Sequence, residues 1–198
     1  MTMLCVATAI LLGGVPVARA GYIVTLEQVG SDVVATGSGA IDLGGLHFRF
    51  HGFAGGPPEI VPFDAIISFL PHLANVDEYR GLAGPTTFGL GHRDEFLANT
   101  FTGDPVAISA ATASLSLGEI VVPLGYVSGT PLLSSMTFNN ATIGSLGARP
   151  GIYEWTWGTR PNQNLTLQIA TAPDSGSTLS LLLFGLAPLL GASRLRLA

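Results

Sequence analysis

Glycine and proline interrupt this chain so often that no long helix fits between its two ends. The 198 residues hold 26 glycines and 13 prolines, and each glycine loosens a helix while each proline removes a donor from its ladder. What lies between the interruptions alternates. In "GYIVTLEQVGSDVVATGSGAIDL" at 21–43, Ile23, Thr25 and Glu27 oppose Val24, Leu26 and Gln28, and Gly-Ser turns follow. "LHFRFHGF" sets Leu46, Phe48 and Phe50 against His47, Arg49 and His51. Later segments, "DPVAISAATASLSL", "EIVVPLGYVSG", "SSMTFNNATIGSL", "GIYEWTWG" and "LTLQIA", are short, rich in β-branched or aromatic residues, and bounded by Gly, Pro or Asn-Asn. A period of two between turn signals specifies strands. The expected fold is all-β, a single sandwich or jelly-roll-like domain. The stretch "VPFDAIISFLPHLANVDEYRG" also fits a helical face through Phe63, Ile66, Ile67 and Leu70, but Pro71 limits such a helix, and the segment is read as a strand.

The two ends differ from this body. "MLCVATAILLGGVPVARA" is an apolar core followed by Ala18-Arg19-Ala20, the small-x-small pattern of a secretory signal peptide over 1–20, with signal peptidase cutting before Gly21. At the other end, Pro173-Asp174-Ser175-Gly176-Ser177 forms a polar turn, Leu179 to Ala192 is apolar apart from Ser180, and Arg194 and Arg196 close the chain. The apolar run of about 14 residues makes a helix of roughly 21 Å against a hydrocarbon core of roughly 30 Å. It is a short transmembrane helix that needs bilayer thinning and arginine snorkelling to span. Arginines after the run and none just before it place the C-terminus in the cytoplasm and the body outside.

The order Pro173-Asp174-Ser175-Gly176-Ser177-Thr178, apolar helix, arginines resembles the C-terminal sorting domain of bacterial PEP-CTERM proteins, in the variant whose motif reads Val-Pro-Asp-Ser-Gly; Ala172 stands in the valine position. The likeness covers the last 26 residues, 173–198. It implies that Pro173, Asp174, Ser175 and Gly176 form the motif processed by exosortase, a membrane-embedded cysteine protease or transpeptidase of Gram-negative bacteria that make exopolysaccharide. "GYVSGT", "PGIYEWTWG" and "NLTLQI" are also similar to segments of a recurrent PEP-CTERM ectodomain. The chain then divides into a signal peptide at 1–20, an extracellular β-domain at 21–172 and the sorting signal at 173–198. The expected function is that of an exported surface or extracellular-matrix protein, held in the membrane by its helix before processing, then sent to the cell envelope or matrix and associated with exopolysaccharide. The alternatives are a polysaccharide-acting enzyme or carbohydrate-binding module carried on the same signal, or a permanent anchor without processing.

Composition excludes several classes. The only cysteine, Cys5, lies within the signal, so the body has no disulfide. There is no lysine, and without the flanks the body keeps 12 acids and five arginines, a net charge near −7. Nucleic acid and anionic membrane surfaces repel such a body.

Candidate sites are few. His47 and His51 are roughly 13 Å apart on a strand, too far to share an ion, and read as a solvated face with Arg49. "GHRDE" at 91–95 gathers His92, Arg93, Asp94 and Glu95 in a loop where an acid–base or calcium role is weighed against plain solvation. Asp77, Glu78, Asp94, Glu95 and Asp104 offer carboxylates, with no spacing that singles out a glycosidase pair. Neither Gly-x-Ser-x-Gly nor a phosphate-binding glycine loop occurs. No catalytic residue, metal site or cofactor is assigned. Tyr153, Trp155 and Trp157 share one strand face in "YEWTW" and are the candidate glycan-facing aromatics, weighed against core packing.

Overall fold

A computed structural model of the protein describes residues 21–170 apart from 55, 92 and 112–116. The predicted signal peptide with Ala18 and Ala20, and the tail with Pro173, Asp174, Ser175, Gly176, Arg194 and Arg196, lie outside the described residues. The strands are β1 (Tyr22–Val29), β2 (Asp32–Ala40), β3 (His47–Ala54), β4 (Glu59–Val61), β5 (Ile66–Phe69), β6 (Ala74–Leu82), β7 (Phe96–Leu97), β8 (Thr100–Gly103), β9 (Val106–Ser109), β10 (Gly118–Pro123), β11 (Pro131–Phe138), β12 (Gly151–Thr156) and β13 (Asn164–Ile169). They form two sheets packed face to face as a sandwich. One sheet runs β12-β13-β1-β2-β11-β8, the other β3-β6-β10-β9-β5-β4-β7. Among the described residues no helix is long and apolar enough to cross a membrane.

The alternation read from the sequence maps onto this core. Tyr22, Val24 and Leu26 of β1 are buried, as are Val33 and Ala35 of β2 and Leu165, Leu167 and Ile169 of β13. Across the second sheet the register aligns Phe48, Tyr79, Ile120, Ile108, Ile67, Ile60 and Phe96 in one row over all seven strands. The isoleucines at its centre are buried; Phe48 at its end is not. The outer face of the first sheet is wetted mainly by hydroxyls, with Glu27 and Glu154 as its charges: Thr25, Thr36, Ser135 and Thr102 lie side by side on β1, β2, β11 and β8. This is how a chain with only 11% charged residues keeps a sheet face in water.

Two local expectations are corrected by pairing. The segment read as one strand through 61–81 is divided: Pro62–Asp64 form a 3₁₀ turn and Ala65 takes a left-handed conformation at φ 49°. β5 then sends Ile67 and Phe69 into the core, while Phe63 stays exposed. An apolar run this short satisfies either periodicity, and sheet pairing decided between them. In β3 the register shifts between Phe48 and Phe50, a bulge at Arg49. His47 stands opposite Arg80, whereas His51 stands opposite Asp77. The two histidines and Arg49 therefore do not share a face, because the extra residue reverses the alternation beyond it.

Candidate functional site

The aromatic row of β12 is where the sequence placed a glycan-facing surface. Tyr153, Trp155 and Trp157 do point the same way, but into the core. Trp155 is 1% exposed and Trp157 4%. Their indole N–H groups donate to the Pro85 carbonyl at 2.8 Å and the Asp42 carbonyl at 2.7 Å. Tyr153 is half-buried against Phe88, with ring centroids 6.1 Å apart. The chain just after β6 runs along the edge of β12: Ala83 bridges Thr156, and Gly84 lies so close to Trp155 that a Cβ there would meet its ring at 2.7 Å. The platform reading of these three residues is overturned; their core reading stands.

Several of the charged candidates are engaged structurally, while Asp94 and Glu95 are exposed. Arg93 pairs with Asp64 at 2.6 Å and ties the 91–95 loop to the 3₁₀ turn; His92 lies outside the described residues. Glu78 pairs with Arg49, and Glu119 pairs with both Arg49, at 3.0 Å, and Arg80, at 2.7 Å. Hydrogen bonding to Glu78 pushes the Arg49 guanidinium above its ordinary range. Asp77 accepts the Gly125 amide at 2.8 Å, and Asp104 accepts the Leu133 amide at 2.8 Å. Among the described residues no three His, Cys, Asp or Glu side chains gather as a metal site.

Glu59 is the exception, because its surroundings oppose its charge. Burial first, and the neighbouring Glu95 second, push its carboxyl above the usual range. The folded chain therefore holds this proton at a pH where the unfolded chain has lost it, and stability falls as pH rises from the unfolded value through the folded one. Glu59→Gln is expected to raise the thermal midpoint at pH 7, with the gain vanishing below about pH 4, where both forms are uncharged. Midpoints of the two proteins across that range test this, and a lower midpoint for the variant at pH 7 contradicts it.

The most exposed aromatics among the described residues lie elsewhere, on the outermost strand β3. Phe48 is 56% and Phe53 70% exposed. Beyond the bulge, His51 joins the face of Phe48, with ring centroids 6.2 Å apart, and the register sets Phe53 opposite Asn75 on that same face. Phe48 is braced by Tyr79, edge-on at 5.5 Å. Tyr79 packs against the core, and burial followed by the Asp77 charge pushes its hydroxyl above the ordinary range, so it remains a neutral donor. Phe50 lies on the opposite face, its ring over Gly52. This surface was missed because strict alternation groups Phe48 with Phe50. A bulge leaves no signal in a single sequence beyond the crowding of aromatic and charged residues in "HFRFHGF".

One shallow groove of about 370 Å³ lies between the β1–β2 turn and residues 142–144. Its Gln28 amide nitrogen already donates to the carbonyls of Gly30, Asp32 and Ala141, so the groove offers no free polar anchor from that side chain. No family model matches the chain, and no curated protein or solved structure matches it either.

Proposed function

We propose that this protein is an exported bacterial surface or extracellular-matrix component that is sorted and processed by exosortase and acts by binding instead of catalysis. The observation that carries the reading is the order of chemistries at the C-terminus: a polar Pro-Asp-Ser-Gly turn at 173–176, an apolar run too short to anchor firmly, and Arg194 and Arg196. Each part has a role. The turn presents extended backbone to a protease, the weak helix holds the chain briefly in the membrane, and the arginines stop transfer and fix orientation. Signal peptidase acts first, after Ala20, since the body must be exported before the anchor can hold it outside.

The limits of the folded body support this order. The strands run from Tyr22 to Ile169, so both cutting positions fall outside them. Gly21, the first residue after the signal, is already tucked into the sheet, its amide donating to the Asn164 side chain at 3.0 Å. The body needs no cofactor in this reading, and its negative charge excludes nucleic acid as a partner. Association with exopolysaccharide is the role that suits an exported, acidic, disulfide-free sandwich. The exposed rings of β3 favour a carbohydrate-binding module over a polysaccharide-acting enzyme, and of the carboxylates singled out in the sequence Glu78 is held by Arg49 while Asp77 and Asp104 are held by backbone amides.

Expression in an exosortase-bearing host, followed by intact-mass measurement of the exported form, tests the reading. The expected product starts at Gly21 and ends within 173–176, and joint replacement of Pro173 and Asp174 abolishes the C-terminal cut. A mass running through Ala198 makes the tail an ordinary anchor and sinks the sorting proposal.

A further inference from the structure

We infer that Phe48, His51 and Phe53 on β3 form a binding site for an uncharged polysaccharide chain. The inference rests on the exported reading only for the ligand lying outside the cell; the site itself is argued from geometry. Counting the bulge as one position, the three rings form a row roughly 13 Å long on one face of the outermost strand. A row of that kind offers successive apolar ring faces to a polymer whose sugar rings have apolar faces of their own. Contact area comes at small entropic cost, since strand backbone fixes all three residues and Tyr79 braces Phe48. The partners that sugar hydroxyls require stand beside the rings: the His51 imidazole within the row, the exposed Asn75 amide on β6, and the backbone groups along the open edge of β3.

Competing occupants fit less well. A second strand pairing with β3 would meet the bulge at Arg49 and the charged or titratable side chains of His47, Arg49 and His51, the features by which sheets discourage edge pairing. An anionic polymer or lipid surface needs unmatched cations, and here Arg49 is shared between Glu78 and Glu119 while Arg80 is paired to Glu119. With Asp77 beneath the row, the neighbourhood carries more carboxylates than guanidiniums, so anionic chains are repelled and neutral ones are not.

The test is affinity electrophoresis of the exported protein, with whatever ends its mass shows, in native gels containing hydroxyethyl cellulose, dextran, galactomannan or alginate. The expected result is retardation by at least one of the three neutral polymers and none by alginate. Phe48→Ala with Phe53→Ala is expected to weaken retardation roughly tenfold, the size of two lost aromatic contacts. Phe50→Ala, on the opposite face, leaves it unchanged. Unchanged circular dichroism and thermal midpoint of the double variant show that the loss is local, since both rings are exposed. Mobility unaffected by all three neutral polymers overturns the site, as does retardation by alginate or retention of binding in the double variant. A dimer that the double variant abolishes overturns it too, and assigns the row to self-association. None of these results depends on where the tail is cut, so failure here and failure of the sorting proposal read out separately.

Discussion

Replacing Trp155 with alanine lowers the unfolding free energy by about 3–5 kcal/mol, the cost of deleting a fully buried large aromatic. The indole fills the space between β12 and the chain that follows β6, and it is among the largest side chains with essentially no exposure. Its N–H also satisfies the Pro85 carbonyl at 2.8 Å, so truncation leaves a cavity and an orphaned acceptor together. In a domain of this size the thermal midpoint falls by roughly 10 °C or more. Trp155→Phe separates the two contributions, keeping most of the packing and losing the hydrogen bond for about 1–2 kcal/mol. Urea denaturation of the three proteins measures both. A loss below about 1 kcal/mol for the alanine variant would return Trp155 to the surface and revive the β12 platform.

Gly37→Val is expected to cost about 3 kcal/mol or more, by overpacking instead of by cavity. Gly37 pairs with Val24 on one side and Ser134 on the other, and the Tyr22 ring lies directly over it. A side chain at 37 pushes the Tyr22 hydroxyl from Ser134, to which it donates at 2.9 Å; Ser134 in turn donates to the Asp104 carbonyl at 2.7 Å. Burial drives the Tyr22 hydroxyl well above its ordinary range, so it stays a neutral donor and its lost partner is not replaced by ionisation. The nearest atom in the way is the hydroxyl, with two carbons of the Tyr22 ring just behind it. Gly37→Ala combined with Tyr22→Phe should therefore cost less than the sum of the two single changes, a coupling between contacting residues that a double-mutant cycle reads. Strict additivity of the two would show that the ring does not lie over Gly37.

The fold class and most strands were legible because strand alternation is local: Val24, Leu26, Leu165 and Leu167 each announce one face by their immediate neighbours. The short pieces β4, β7 and β8 were not legible, since two to four residues carry too little pattern to stand out from loop. The candidate aromatics were read on β12, whereas the more exposed rings lie on β3. Tyr153, Trp155 and Trp157 share a face, as the period of two requires, yet that face turns into the core. Phe48 and Phe53 were obscured by one inserted residue, Arg49, which reverses the parity of everything after it in β3.

By itself the sequence determined the properties that act over a few residues or over the whole composition. These are the strand period, the absence of a disulfide in the body, its negative charge, and the order of polar residues, apolar run and arginines at the end. Only the tertiary structure decided which rings meet water. A side chain's direction follows from its own backbone, but whether that direction leads to solvent depends on which distant segment lies opposite. At β12 the two tryptophans lie in the core, with their indole N–H groups met by the carbonyls of Pro85 and Asp42, 70 and 115 residues away in sequence. At β3, the last strand of its sheet, nothing among the described residues covers Phe48 and Phe53, and the rings stay open.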